Sequence, residues 1–472
     1  MTEIQKIAHN TLIQVIGKAV TVGLGLLAFA IITRTLGQDG FGQFTTVYGF
    51  LAVFGILVDL GLQMTTTRLI ADPANDEKTI VGNALTIRLV FSIIFLAAAP
   101  LIAMLFPYPT EVKFSIAVAA AGLVFVSLTT TLTSLFQKHL VMQRVVIAEI
   151  IAKTLYLILL ITAVKINASL ITIIIVTIVE SAVAFVLLYG FARRLTKISL
   201  AFDLNTWKKI LTYTWPLAVT IALNLIYFKG DIVIMSIFRS EAEVGLYGAP
   251  YRVLEVLINA AYLFLGLILP LLGAAVAANN LPRLRTVLQA TFDFLIIMVV
   301  PLVIGGFILG EPLMILFAGP AFAVSGELIK ILLLAAAALV IGGLFGYAVV
   351  ALNAQKEMIK FYALNAIVSV VGYLILIPRF SYWGAAWMTV VSEAFILLTA
   401  SVVMYRRCGF LPRITVAIKS LFASVVMVSG LLLVPLAFFP ALLIGTILYF
   451  ATLYLIGGVN RQALREIISV TR

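Results

Sequence analysis

Six basic side chains, Lys18, Arg68, Arg88, Lys153, Lys229 and Arg252, fall within or at the border of long apolar runs, and so do the acids Asp59, Glu180, Asp231, Glu255, Asp293 and Glu393, of which Asp59, Asp231 and Glu393 are the candidates for a coupling ion. An ionisable group in such a run costs a few kcal/mol even on lenient membrane-insertion scales, so each needs a partner, water or a ligand. The bases suit anion binding: the planar fork of Arg makes paired hydrogen bonds to phosphate oxygens, while Lys acts as a point charge. The acids suit a coupling ion, H+ or Na+, because a carboxylate can change protonation when its access changes. His9 and His139 are the only histidines and Cys408 the only cysteine, so no metal site is expected. Neither HExxH nor GxxxxGK[ST] is present, so the chain does not read as a zinc hydrolase or an ATPase. We expect no cofactor beyond a coupling ion and no enzymatic role.

Spacing sorts these charges. Arg252 and Glu255 are three residues apart and Lys153 follows Glu149 by four, so each pair can be a salt bridge on one helix face. Lys229 and Asp231, two apart, point to different faces. Arg68 can snorkel to headgroups from its border position. Lys18 and Arg88 have no acid three or four residues away, which makes them the strongest candidates for contact with an anionic ligand. Each acid can equally serve as a partner to one of the bases.

The elements that position these residues are membrane-spanning helices. The chain has 472 residues, of which 63% are hydrophobic and 11% charged. A soluble protein carries about a quarter charged residues. Too little polar surface exists to cover a soluble globule, which excludes a soluble enzyme, a secreted scaffold and a disordered interaction protein. Runs such as Ala117–Val126 and Leu332–Val340 are nearly apolar all round, whereas a barrel strand would alternate. At roughly 34 residues per helix and loop, the length accommodates about 14 spans. Hydropathy places the first six between Thr11 and Tyr189 and the next six between Ile210 and Tyr405, with two more at Ile414–Leu436 and Ala441–Leu455. The fold class is therefore all-α integral membrane, with an N-terminal six-helix lobe at 1–192, a basic connector at 193–209, a second six-helix lobe at 210–405, and two helices with a tail at 406–472.

Basic residues set the orientation. With the N-terminus inside, the even-numbered loops and both termini hold about 20 of the 32 Lys and Arg, and the odd-numbered loops about 5. This is the positive-inside bias of a multi-pass protein of the cell membrane with both termini cytoplasmic. The net charge of +12 points to lipid headgroups or an anionic lipid-linked substrate rather than nucleic acid. An internal echo supports two halves: Phe41-Gly42-Gln43-Phe44 with Tyr48, and Val244-Gly245-Leu246-Tyr247 with Tyr251, lie about 203 residues apart. Gly37, Gly40 and Gly42 read as turn glycines between two spans, and Phe41 and Phe44 as residues buried near the interface. Pro216, Pro270 and Pro301 can bend spans. The triplet Asn167-Ala168-Ser169 matches a glycosylation acceptor by chance, in a loop too short and too close to the membrane.

Several of these motifs carry a resemblance. Thr33-Arg34, Gly37, Gly40, Phe41-Gly42-Gln43-Phe44, Val58-Asp59-Leu60-Gly61-Leu62, Arg68, Trp215-Pro216-Leu217, Asp231, Val244-Gly245-Leu246-Tyr247 and Pro270 together resemble the Wzx-type polysaccharide-repeat-unit flippases, also called polysaccharide biosynthesis membrane proteins. The likeness covers a little over half of the chain. It implies membership of the multidrug/oligosaccharidyl-lipid/polysaccharide exporter superfamily, two lobes around a central cavity, and alternating access. It also implies a polyprenyl-diphosphate-linked oligosaccharide as cargo, moved from the inner to the outer leaflet, and polysaccharide-assembly membrane proteins as partners. The six bases would then line the cavity and hold the diphosphate. The alternatives are an ion-coupled multidrug exporter of the same superfamily, which favours an acidic, aromatic cavity, and a membrane glycosyltransferase, which needs a sizeable extramembrane domain or an acidic catalytic loop.

Overall fold

Hydropathy separates the first two spans by a loop near Gly37, yet the chain makes this turn without a coil segment. The computed structural model describes residues 3–166, 169–433 and 437–458, so Asn167 and Ala168 of the acceptor-like triplet lie outside the described residues. Helix α1 runs over Glu3–Asp59, 57 residues. A straight helix of that length would reach about 85 Å, almost three times a ~30 Å hydrocarbon core, so it has to break. It does so at Gly37, with φ 66° and ψ −167°, a conformation open to glycine. Phe29 and Phe41 close over the kink with ring centroids 5.6 Å apart.

Two further breaks follow. Leu60 (φ 43°) and Gly61 (φ 82°) are both left-handed and separate α1 from α2, Leu62–Ala71. Helix α3, Glu77–Phe91, passes through a π turn at Ser92–Leu96 into α4, Ala97–Ala103, where Pro100 cannot donate its share of the helical ladder. Helices α5 (Thr110–Lys138), α6 (Gln143–Lys165), α7 (Leu170–Ala192) and α8 (Leu204–Phe238) complete the first half. Side-chain caps mark the polar entries: Asp76 accepts from the Thr79 amide at 3.0 Å and Asp203 from the Thr206 amide at 2.9 Å.

The second half comprises α9 (Glu241–Ala277), α10 (Leu281–Ala318), α11 (Ser325–Ala351), α12 (Gln355–Cys408), α13 (Thr415–Leu433) and α14 (Phe438–Leu455). Like α1, the 54-residue α12 is a kinked pair, broken at Ser381 with φ 53° three residues after Pro378. Its two arms touch, since a Cβ on Gly384 would stand 2.5 Å from the Leu376 carbonyl oxygen and the hydroxyls of Tyr373 and Thr389 are 3.3 Å apart.

Among the described residues there is no strand, and eleven helical segments are long and apolar enough to cross a membrane. Large apolar side chains face outward all along them, with Ile367 64%, Leu398 63% and Leu443 64% exposed. In water this surface would aggregate; in lipid it is the required finish. The chain is an all-α multi-pass membrane protein.

Packing divides it into two units, Met1–Gly245 and Leu246–Arg472. Helix α8 packs in the first, where Thr214 reaches Thr65 at 3.0 Å and Ser236 reaches Tyr108 at 2.9 Å. The basic connector docks there too: the Asp203 amide donates to Asn83 Oδ1 at 2.8 Å, and Gly82 leaves room for the Ser199 carbonyl. The second unit has its own core of Leu265, Leu272, Leu288, Leu344 and Ala348, with α13 and α14 packed around Met427 and Tyr449.

Within the first unit, the glycines of the echoed motifs, Gly42 and Gly245, each sit against the other segment. A Cβ on Gly42 would stand 1.7 Å from the Glu241 carbonyl oxygen, and one on Gly245 would stand 2.2 Å from that of Gln38. Gly42 is therefore a helix-contact glycine rather than the turn glycine expected from its position; the turn is made by Gly37. Phe41 and Phe44 are buried, and Gln43 donates to Glu241 Oε2 at 2.5 Å across the same contact.

Candidate functional site

Arg88 sits one turn before the π segment of its helix and is 1% exposed. Its Nη2 donates to Asp59 Oδ1 at 2.5 Å, and its Nη1 donates to the Thr130 hydroxyl of α5 at 2.7 Å. The second oxygen of Asp59 accepts from the Gly61 amide at 3.1 Å. The left-handed pair Leu60-Gly61 thus turns the chain back over the carboxylate that ends α1. Ser92 and Ser127 extend this polar seam at 3.3 Å. Arg88 Nε is buried without a hydrogen-bond partner.

A second charged group lies among α1, α6 and α7. Lys153 Nζ bonds Glu180 Oε1 at 2.7 Å and stands 5.2 Å from the centre of the Tyr156 ring. Lys18, exposed on α1, lies within electrostatic reach of Glu149, as do Lys153 and Glu180. Arg68 is exposed and lies over the Tyr213 ring at 5.5 Å, a cation–π contact. Lys229 is half-buried on α8, and Asp231 beside it is fully buried and accepts from the Ile232 amide at 2.7 Å.

In the second unit Arg252 Nη1 pairs with Glu255 Oε2 at 3.3 Å, as their spacing suggested. Glu393 is 3% exposed on the second arm of α12, electrostatically coupled to Tyr262 and Tyr362. Its neighbour Ser392 accepts from Asn365 at 3.0 Å. A separate apolar cavity of about 260 Å³ lies between α10, α13 and α14, lined by Pro301, Gly305, Leu309, Met427, Leu431 and Tyr449.

The structure therefore brings Arg88 to Asp59, Lys153 to Glu180 and Arg252 to Glu255. It corrects the reading of Arg88 as stranded, because its acid comes from another helix. Two features escaped the sequence reading. Thr130 is an ordinary helix threonine until α5 packs on α3. The hydroxyls of Tyr247, Tyr251 and Tyr373 gather on that of Thr389 within 3.3, 3.4 and 3.3 Å respectively, joining α9 to both arms of α12. No spacing rule links residues so far apart in the chain.

The comparisons with known proteins bear on this arrangement. The family model described as polysaccharide biosynthesis protein matches residues 7–276. Among solved structures, the chain is similar to the lipid II flippase MurJ in an inward closed conformation, with 14% identity, a TM-score of 0.75, and coverage of 94% of this chain and 98% of that one. It is similar to an inward-facing multidrug resistance MATE family transporter of the MOP superfamily, with 13% identity, a TM-score of 0.70, and coverage of 83% and 94%. A MOP superfamily transporter from Pyrococcus furiosus, described as having a binding pocket of reverse polarity, matches at 14% identity with a TM-score of 0.59 and coverage of 86% and 95%. No curated protein matches the chain. The family match spans more than half of the sequence, and the structural likenesses share its all-α fold: the chain belongs to the polysaccharide biosynthesis protein family and has the fold of the MurJ and MATE transporters.

Proposed function

We propose that this protein is a secondary transporter that flips polyprenyl-diphosphate-linked oligosaccharide from the inner to the outer leaflet of the cell membrane by alternating access. The family match over residues 7–276, with a fold similar to that of a lipid II flippase, carries this reading. In it, fourteen spans form two six-helix lobes and two extra C-terminal helices, and both termini are cytoplasmic. The 57-residue α1 and 54-residue α12, counted as two spans each, and the 35-residue α8 support that number. The diphosphate engages bases drawn from Lys18, Arg68, Arg88, Lys153, Lys229 and Arg252. Fixed cations offset much of the cost of moving phosphate away from bulk water. The sugars travel with the headgroup while the lipid tail stays in the bilayer. Asp59, Asp231 or Glu393 binds the coupling ion, H+ or Na+. Glu393, 3% exposed, fits that task, since the charge of a deeply buried carboxylate needs an ion or proton to compensate it.

Multidrug export by the same fold is the second reading, favoured by the MATE likeness at a TM-score of 0.70. Proteoliposomes separate the two. With a proton or Na+ gradient imposed, lipid-linked oligosaccharide should cross leaflets faster than in protein-free vesicles, and organic cations should not accumulate. Cation transport without lipid-linked sugar transfer would establish the drug exporter instead. Sugar transfer to a new acceptor would mark an enzyme.

A further inference from the structure

Asp59 and Arg88 form an unequal pair. Their side chains are 34% and 2% exposed, so the guanidinium lies behind the carboxylate, which forms the open edge. The two members are also held differently. Arg88 is fixed by the Thr130 hydroxyl at 2.7 Å and by burial within α3. Asp59 is the last residue of α1 and its side chain is a third exposed, so rotation about its own side-chain bonds can carry the carboxylate off Arg88 without unwinding a turn. A π turn at Ser92–Leu96 breaks the neighbouring helix at the same region, a feature frequent where helices must adjust.

The donors around the carboxylate form an anion cradle. They are Arg88 Nη2 and the Gly61 amide at the start of the ten-residue α2, whose N-terminal dipole also favours negative charge. Capacity remains in reserve, since Arg88 Nε is buried with no partner. A phosphate oxygen fits the same donors, and a guanidinium can engage a second oxygen through Nε.

We propose that Asp59 is a resident counter-ion, displaced from Arg88 by an anionic phosphate oxygen of the cargo. This rests on the reading of the cargo as a lipid-linked diphosphate. The carboxylate swings out by rotation of its own side chain, Thr130 keeps the guanidinium from following, and the phosphate takes over both donors. Arg88 then never stands as an uncompensated buried charge, and anions that cannot displace a carboxylate are excluded.

The test is calorimetric titration of the full-length protein in nanodiscs with farnesyl diphosphate, with farnesol and inorganic pyrophosphate as controls. Asp59→Asn should bind farnesyl diphosphate about tenfold more tightly than the parent, because the competitor is gone. Arg88→Gln should lose at least tenfold in either background, and farnesol should bind all forms alike. Where Asp59→Asn fails to fold, Asp59→Ser gives the same contrast. A merely structural pair would leave the affinity of the Asp59 variants unchanged or weaker, which overturns the exchange. Undiminished binding by Arg88→Gln also overturns it, while leaving the transport reading intact. Pyrophosphate bound as tightly as farnesyl diphosphate would make the ligand a soluble anion and overturn the lipid-linked form of the exchange. If the parent prefers no diphosphate over farnesol, the anionic-cargo reading itself falls.

Discussion

Charge placement in this protein is decided by partners that sequence distance hides. Helical spacing sees only one helix, so it found Arg252 and Glu255, which meet at 3.3 Å. It also pointed Lys153 at Glu149, whereas Lys153 Nζ bonds Glu180 of the next helix at 2.7 Å. For Arg88 the partner lies 29 residues upstream, beyond a loop and a helix break. A fully buried pair broken on one side costs about 3–5 kcal/mol; in Arg88→Ala the survivor is Asp59, a third exposed, so water screens it and the cost is smaller. Arg88→Ala should therefore lower the thermal midpoint of the purified protein and abolish export. The neutral pair Asp59→Asn with Arg88→Gln should regain most of the stability without regaining export. A double variant no more stable than Arg88→Ala would argue against a buried, mutually compensating pair.

At the scale of elements, glycine placement and capping carry the testable consequences. A Cβ at Gly42 would lie 1.7 Å from the Glu241 carbonyl, whereas one at Gly55 would have nothing within 4 Å. Gly42→Ala should thus cost several degrees of thermal midpoint and Gly55→Ala should be neutral, as read by scanning fluorimetry in detergent. The Asp203 carboxyl is held below its usual range by the Thr206 hydroxyl first and then by the Thr206 amide. A depressed carboxylate stabilises above its unfolded value, and the contribution fades as pH falls through the lower folded value. Protection from hydrogen exchange at the start of α8, expressed relative to the intrinsic rate at each pH, should fall on acidification through that window and, in Asp203→Ala, be low already at neutral pH. Neither the N-cap acids nor the Gly42 contact figured among the sequence expectations, which took Gly42 for a turn glycine. Nothing in a local motif says that its distant echo will pack against it.

For the whole molecule, composition was decisive for fold class, because a chain with 11% charged residues has no soluble solution. The long apolar helices followed from hydropathy. The kinks at Gly37 and Ser381 did not read equally well: glycine advertises a turn, whereas serine at φ 53° depends on its surroundings. Similarly, Glu393 could be recognised as an acid within a span, but its tyrosine neighbours come from α9 and the first arm of α12. If Glu393 holds the coupling ion, Glu393→Gln should keep its fold and ligand affinity while transport loses its response to an imposed gradient. The most direct measurement is the rate at which a fluorescent polyprenyl-diphosphate-linked oligosaccharide changes leaflets in proteoliposomes. The account predicts acceleration by the protein, further acceleration by a proton or Na+ gradient, and loss of both in Arg88→Gln. A rate equal to that of protein-free vesicles, with or without a gradient, would contradict it.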